Sequence, residues 1–330
     1  MRKFNLKDKV LRRMMGLDIQ PSEKPENRKQ EISDSGNAIP DEGNHQLRIA
    51  WRTDVGRVRR NNQDAVILGG GLYGVADGMG GHQGGEIAST GLRDGLLREI
   101  SGKEPDEEEL RGAIERVNLE LWNRQEKDAA LSGMGTTLTV LWPSESHMII
   151  AQVGDSRAYL LRDGQFRQMT SDHSMVADMV RRGMLTEEQA ACHPMRNYIT
   201  RAVGTEEAIE PDLMSVLRQP GDRWLICSDG LYSQMNREEL QSLMSAESLE
   251  DAANRLMDTA MEYGGKDNIT LILLQDLLRT APPSDDSRET REQEDTGERD
   301  KEASEDFVSE DTAAGTESDI TSRKEAEHLG

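Results

Sequence analysis

An α+β fold, with antiparallel sheets carrying helices on their outer faces, is what this sequence predicts. Strand-like runs follow one another in hairpin-like succession, and helical patterns come in groups. The step Asp163–Gly164, set between two strand-like pieces of 160–169, is a type I′ hairpin signal. A doubly wound parallel sheet would need regular strand–helix alternation, which this chain does not have.

The strand candidates are LRIAWR (47–52), LYGVAD (72–77), TTLTVLW (136–142), HMIIAQV (147–153), RAYLL (157–161), RWLICSD (223–229) and ITLILLQ (269–275). Several are β-branched or aromatic runs bounded by Gly, Pro or Asp. Helices announce themselves by their caps. Thr186 with Gln189, and Asn236 with Glu239, have the spacing of an N-cap and its reciprocal partner. Asp106 and Ser248 open two longer patterns with apolar residues three and four apart.

Of the 330 residues, 35% are hydrophobic and 31% charged, which is polar for a globular chain. The excess sits in the flanks, so the expected organisation is a segment 1–46, a folded domain 47–276 and a tail 277–330. Residues 2–17 mix basic side chains (Arg2, Lys3, Lys7, Lys9, Arg12, Arg13) with Phe4, Val10, Leu11, Met14 and Leu17 at loosely helical spacing. Such a segment suits weak contact with an anionic membrane or a partner helix, and equally suits a frayed terminus. The next stretch, up to residue 46, has little to bury and reads as disordered linker. The last fifty residues carry about half of the net charge of −22 and cannot offset their ordering entropy.

That charge argues against nucleic acid as a partner, since binding it requires a basic face. Two cysteines, Cys192 and Cys227, make no disulfide framework and point to a reducing compartment. No run approaches about 18 apolar residues, so no membrane span is expected, and no secretory signal is evident. A cytoplasmic monomer is the expectation.

The chemistry lies in Asp-Gly and Asp-Asn steps at the ends of apolar strands: VADGMGGH (75–82), ICSDGL (226–231) and KDNITLILL (266–274). Any one of them reads as a turn. Three together place Asp77, Asp229 and Asp267 where buried strands meet loops, an arrangement in which carboxylates converge on one point. Oxygen donors with room for water suit magnesium or manganese better than zinc.

These segments, with VRRNNQDA (58–65), GMGTTLTV (133–140), VGDSRAYLLRDG (153–164), TSDHSMVADMVRRGMLTEEQA (170–190) and HPMRNYITRAVG (193–204), occur in the order seen in the bacterial metal-dependent serine/threonine protein phosphatases. The chain thus resembles that family, the PPM or type-2C phosphatases, over about residues 47–276. The resemblance implies a four-layer αββα sandwich, two antiparallel sheets flanked by antiparallel helix pairs. It implies two Mn2+ or Mg2+ ions, with Asp77 bridging them, the Gly78 carbonyl on one, and Asp229 and Asp267 on the other. Asp155 resembles the ligand of a weaker third ion. Arg59, five residues before Asp64, resembles the arginine that grips substrate phosphate, a role suited to its two-pronged guanidinium. A charge on a solvated loop is the other reading, since Arg57 and Arg60 flank it. His82 resembles the proposed general acid for the leaving group, while a lone histidine in a glycine-rich loop also reads as structural. Asp64 is expected behind the ligands, orienting water, with Asn268 following Asp267 as the family pattern has it. Gln63 stands where some relatives carry a water-linked Glu, so it is not expected as a ligand. The implied reaction is attack on phosphoserine or phosphothreonine by a hydroxide shared between two cations about 3.5–4 Å apart. Phosphorylated proteins are the implied substrates and a serine/threonine kinase the implied counterpart. The segment 170–200 resembles a mobile flap beside the site. By this reading Arg59→Ala weakens substrate binding and leaves metal affinity nearly unchanged.

Rival motifs fail on context. GGGLYG (69–74) matches a dinucleotide fingerprint formally but runs into a strand, where a helix is required. Neither cysteine has an arginine six residues on, as a cysteine phosphatase would require, and Cys227 reads as core. The six histidines fit no paired-histidine metallophosphatase pattern. The remaining alternative is a phosphate-sensing or scaffolding module that kept the fold and lost the chemistry. Asp77, Asp229 and Asp267 are all present, which favours the enzyme.

Overall fold

The computed structural model describes residues 34–40, 46–81 and 83–278. The basic segment 2–17, His82 and the acidic tail lie outside the described residues. The chain divides into two units, Met1–Thr280 and Ala281–Gly330, and every described element belongs to the first.

Two sheets, antiparallel throughout their pairings, form its middle. The first runs in the order β1 (Asp34–Pro40), β2 (Leu47–Asp54), β12 (Ile269–Asp276), β11 (Arg223–Cys227), β8 (Arg157–Arg162) and β9 (Gln165–Gln168). The second runs β10 (Asp212–Leu217), β7 (His147–Val153), β6 (Leu138–Pro143), β4 (Leu72–Met79) and β3 (Asp64–Gly69), with the short β5 (Gly135–Thr136) paired to the end of β4. The side-chain period of two then sorts the residues into layers. Trp224 and Ile226 of β11 face the second sheet and meet Val75, Leu141 and Ile150 there. Leu225 and Cys227, one position out of phase, face the helices.

Each outer face is covered by helices. α1 (Gly84–Ile100) and α2 (Glu107–Lys127) bury Leu92, Leu96, Ile114 and Val117 against the second sheet. Arg98 pairs with Glu120 and Arg116 with Glu99, so this pair is antiparallel. Three short helices follow in the chain, α3 (Met175–Arg181), α4 (Glu187–Ala191) and α5 (Asp229–Tyr232). α6 (Arg237–Met244) and α7 (Leu249–Glu262) cover the first sheet with Leu240, Met244, Leu256 and Met257. The expected four-layer αββα sandwich is the observed one.

Caps fall where they are expected. Asp106 accepts from the backbone N–H groups of Glu108 and Glu109, and Ser248 accepts from Asp251. Thr186 and Gln189 form the full reciprocal box, whereas Asn236 accepts from Glu239 alone among the bonds described. Asp163 and Gly164 both have positive φ, 51° and 72°, as a type I′ turn requires, and Arg162 pairs with Gln165 across it.

Three expectations need correction. The strand expected over 223–229 ends at Cys227, because Ser228 turns the chain and Asp229 begins α5. The run 136–142 is two strands, since β5 pairs with Gly78 and Met79 while β6 continues along β4. Residues 34–40, expected as linker, form β1, whose register runs from Asp34↔Thr53 to Pro40↔Arg48 with a bulge between Gly36 and Ile39. An edge strand needs only backbone partners, so a segment poor in apolar residues still pairs.

Candidate metal centre

Four of the aspartates come from strand ends that meet at one edge of the sandwich. Asp64 opens β3 and stands directly opposite Asp77 near the end of β4. Val66 and Val75, two residues along, pack in the layer between the sheets, so both carboxylates are directed to that layer. Asp229 follows β11 and Asp267 precedes β12, two neighbouring strands of the opposite sheet. Asp155 follows β7 on the crossing from the second sheet to the first, and is buried.

Polar bonds tie the two edges together. The Ser228 hydroxyl donates to Asp64 Oδ2 at 2.8 Å and accepts the Thr270 N–H at 3.0 Å. Asn268 Oδ1 accepts the Gln63 N–H at 2.8 Å, while its amide nitrogen donates to the carbonyls of Val55 and Asn61, each at 3.0 Å. Asn268 therefore holds the loop that carries Arg59. The Asp77 backbone is fixed by Thr137, whose Oγ1 accepts the Asp77 N–H at 2.9 Å and whose own N–H donates to the Asp77 carbonyl at 2.9 Å. The Gly78 N–H donates to the Gln63 carbonyl. A Cβ on Gly78 would fall 2.5 Å from that carbonyl oxygen and closer still to the Gly85 carbonyl, so only glycine fits.

Crowding and burial raise the proton affinity of four of these carboxylates. Burial, then the charges of Asp64, Asp229, Asp155 and Asp267, push Asp77 far up from the usual carboxylate range. Burial and the charges of Asp267 and Asp64 push Asp229 up to about 7. Asp64 rises to about 6, with burial outweighing the hydroxyls of Thr270 and Ser228 that hold it down. Asp155 is raised by burial and by Asp229 and Asp172. Asp64, Asp77 and Asp229 each keep some exposed surface, so solvent screening tempers these shifts.

The donor set fits divalent cations. Asp64 Oδ1 and Asp229 Oδ1 are buried acceptors without a hydrogen-bond partner, in a site that already repels added negative charge. All the donors are hard oxygens, as magnesium and manganese require. Among the described residues no three acidic, histidine or cysteine side chains are drawn into a closed ligand cage. Uncompensated carboxylates instead turn to other partners, Asp64 to Ser228 and Asp267 to Arg59, whose Nη2 donates to Oδ2 at 2.6 Å.

The structure thus brings together Asp64, Asp77, Gly78, Asp155, Asp229, Asp267, Asn268 and Arg59. Sequence reading gave no role to Ser228, Thr137 and Thr270, although a buried run of hydroxyls (Thr136, Thr137, Thr139) was a visible signal. It also missed the brace beneath Asp155. There Arg157 binds Asp172 through two nitrogens and lies 3.7 Å over the Tyr232 ring, and the Tyr232 hydroxyl donates to the Asp155 carbonyl at 3.0 Å.

An αββα sandwich with crowded aspartates at one edge is the architecture of the metal-dependent phosphatases. Residues 57–273 match the family described as Protein phosphatase 2C, and the chain belongs to that family. It is 39% identical over 230 residues to the serine/threonine protein phosphatase PstP of Mycobacterium tuberculosis, a match covering 69% of this chain and 44% of that one. The chain therefore spans less than half the length of that relative. With the serine/threonine phosphatase stp of Listeria monocytogenes it shares 38% identity over 245 residues, covering 69% of this chain and 96% of the other. Among solved structures, the PstP catalytic domain in complex with two manganese ions superposes with a TM-score of 0.65 at 36% identity, covering 70% of this chain and 98% of that one. Stp1 of Staphylococcus aureus gives a TM-score of 0.66 at 34% identity, covering 76% and 99%.

Proposed function

We propose that this chain is a cation-dependent protein phosphatase that hydrolyses phosphoserine and phosphothreonine. The observation that carries the reading is the set of half-buried aspartates from both sheets, raised in proton affinity and with carboxylate oxygens left unpartnered. Asp77, Asp229 and Asp267, with the Gly78 carbonyl, would hold two Mn2+ or Mg2+ ions, and Asp155 a weaker third. When bound, these cations supply the positive charge that activates water and steadies the transferring phosphoryl group.

The chain's own groups do the rest. Arg59 offers parallel N–H donors to two phosphate oxygens and so orients the ester. Asp64, held by Ser228, presents its unpartnered oxygen as a hydrogen-bond acceptor for water. Asn268 keeps the Arg59 loop and the Asp267 segment in register. Proton delivery to the leaving alkoxide by His82 belongs to this reading through the family resemblance alone. An opposing serine/threonine kinase, phosphoprotein substrates and a reducing, cytoplasmic setting complete it. The free thiols of Cys192, exposed, and Cys227, buried, support the last point. Among the described residues no helix is long and apolar enough to cross a membrane.

The test is hydrolysis of a phosphothreonine peptide in Mn2+, in Mg2+ and in chelator. Activity in either cation, lost in chelator and in Asp77→Asn, is the expected result. A folded protein inactive in all three conditions would favour a phosphate-sensing module, and activity that persists in chelator would overturn the mechanism.

A further inference from the structure

Asp267 has both oxygens engaged. Oδ2 accepts from Arg59 at 2.6 Å, and Oδ1 accepts the Asn268 N–H at 2.9 Å. The second bond is local and leaves a lone pair available. The first is an ion pair occupying the oxygen that points to the loop, with the Arg59 side chain 43% exposed and Asp267 29% exposed.

The loop bearing Arg59 is fastened to the segment bearing Asp267. The Arg57 N–H donates to the Gly265 carbonyl at 2.7 Å, and Asn268 holds the carbonyls of Val55 and Asn61 on either side. Gly56 is tied to Asp54 at 2.8 Å. With its backbone pinned at both ends, the Arg59 side chain cannot be carried away from the site. It can only swivel. A carboxylate and a phosphate present the guanidinium with the same pair of acceptor oxygens, so one side chain serves either but not both.

We propose, resting on the phosphatase reading above, that Arg59 and a divalent cation compete for the Asp267 carboxylate, and that cation loading thereby frees Arg59 to receive substrate phosphate. The two binding events are then linked: whatever Arg59 costs the cation, phosphate restores by drawing Arg59 off Asp267, and the coupling acts equally in both directions. The linkage orders the site, because Arg59 is a weak phosphate binder until the cation is in place. It also replaces the sequence-based expectation that Arg59→Ala leaves metal affinity unchanged.

The experiment is calorimetric titration of the full chain with Mn2+ alone, at low salt, with folding of each variant checked by circular dichroism. Arg59→Ala should tighten one class of Mn2+ site about three-fold, the range expected on removing a half-exposed ion pair. Arg60→Ala, which removes the same charge from the adjacent exposed position, should change it much less. In an Asp267→Asn background the effect of Arg59→Ala should shrink toward that of Arg60→Ala, leaving only the Arg59 charge felt at Asp229. Equal Mn2+ affinity in wild type and Arg59→Ala would overturn the linkage, as would equal tightening by Arg60→Ala or persistence of the full effect in Asp267→Asn. Each of those results leaves the phosphatase reading intact. Failure of folded wild-type protein to bind Mn2+ at all would remove both.

Discussion

Ser228 joins the two sheets at Asp64: its hydroxyl, at the end of β11, donates across the sandwich to a carboxylate at the start of β3, 2.8 Å away. The same oxygen accepts the buried Thr270 N–H. Ser228→Ala therefore strips a donor from Asp64 and an acceptor from Thr270. It should cost about 1–3 kcal/mol in urea unfolding. Asp64 should also become harder to ionise, so the pH–rate profile of the Mn2+-supported enzyme should move to higher pH. An unmoved profile would mean that Asp64 is held by something other than this bond.

Stability without metal should fall as pH rises. Asp64, at about 6, and Asp229, at about 7, bind protons more tightly in the folded chain than the ordinary carboxylate value of 3.8 allows in the unfolded one. Acids raised in this way favour the folded state fully below about pH 4 and lose that contribution as pH climbs through 6 and 7. After allowance for screening, the loss should be about 1–3 kcal/mol between pH 5 and pH 8. Thermal unfolding in chelator tests this, and Asp229→Asn should flatten the dependence. Mn2+ binding near pH 6 should release protons, which calorimetry in buffers of different ionisation enthalpy will detect.

Gly78→Ala should be more damaging than an ordinary glycine replacement. The added methyl meets two backbone carbonyls, those of Gln63 and Gly85, and neither can rotate away as a side chain would. A loss of about 1–3 kcal/mol is expected, with weakened Mn2+ binding because Asp77 is the adjacent residue. Normal stability and normal Mn2+ affinity together would show that the strand shifts freely.

Remote from the aspartates, Arg218 and Asp276 form an ion pair with side chains 1% and 0% exposed. Removing one charge strands the other, so Asp276→Asn should destabilise by about 3–5 kcal/mol. Activity per folded molecule should stay at the wild-type level. A variant with normal stability and reduced turnover would contradict this assignment.

What was legible in the sequence was what local chemistry decides. β7 was read to the residue, because HMIIAQV is largely apolar and Gly154 follows it. Asp106, Thr186 and Ser248 marked helices through their own side-chain bonds. α1 was not read: Gln83 makes no side-chain capping bond, and Gly84, Gly85, Gly91 and Gly95 blur the helical pattern. β10 was missed because, as an edge strand, it buries little and leaves Met214 and Leu217 exposed. In the site, the carboxylates stood out because Asp-Gly and Asp-Asn close apolar runs. Ser228 did not, since Asp64 lies far along the chain and only the packing of one sheet on the other brings them together; nor did Arg157, whose partner Asp172 sits beyond the β8–β9 hairpin of the same sheet.

β2 and β12 are neighbours along their whole length, with Leu47 opposite Asp276 and the Leu277 N–H donating to the Gln46 carbonyl at 2.8 Å. The aspartates gather at the other end of these strands, near Asp54 and Ile269, roughly 25 Å away for a strand of eight residues. The start of β2 and the end of β12 thus share the pole opposite the chemistry, while β1 runs back along β2 and sets Asp34 opposite Thr53 at the aspartate end. A body built this way can be hung from another protein by the end of β12 without shading its cleft. It can also be closed into a ring: a short linker from residue 278 to residue 46, with new ends opened at the Asp163–Gly164 turn, leaves every strand pairing from β2 to β12 in place.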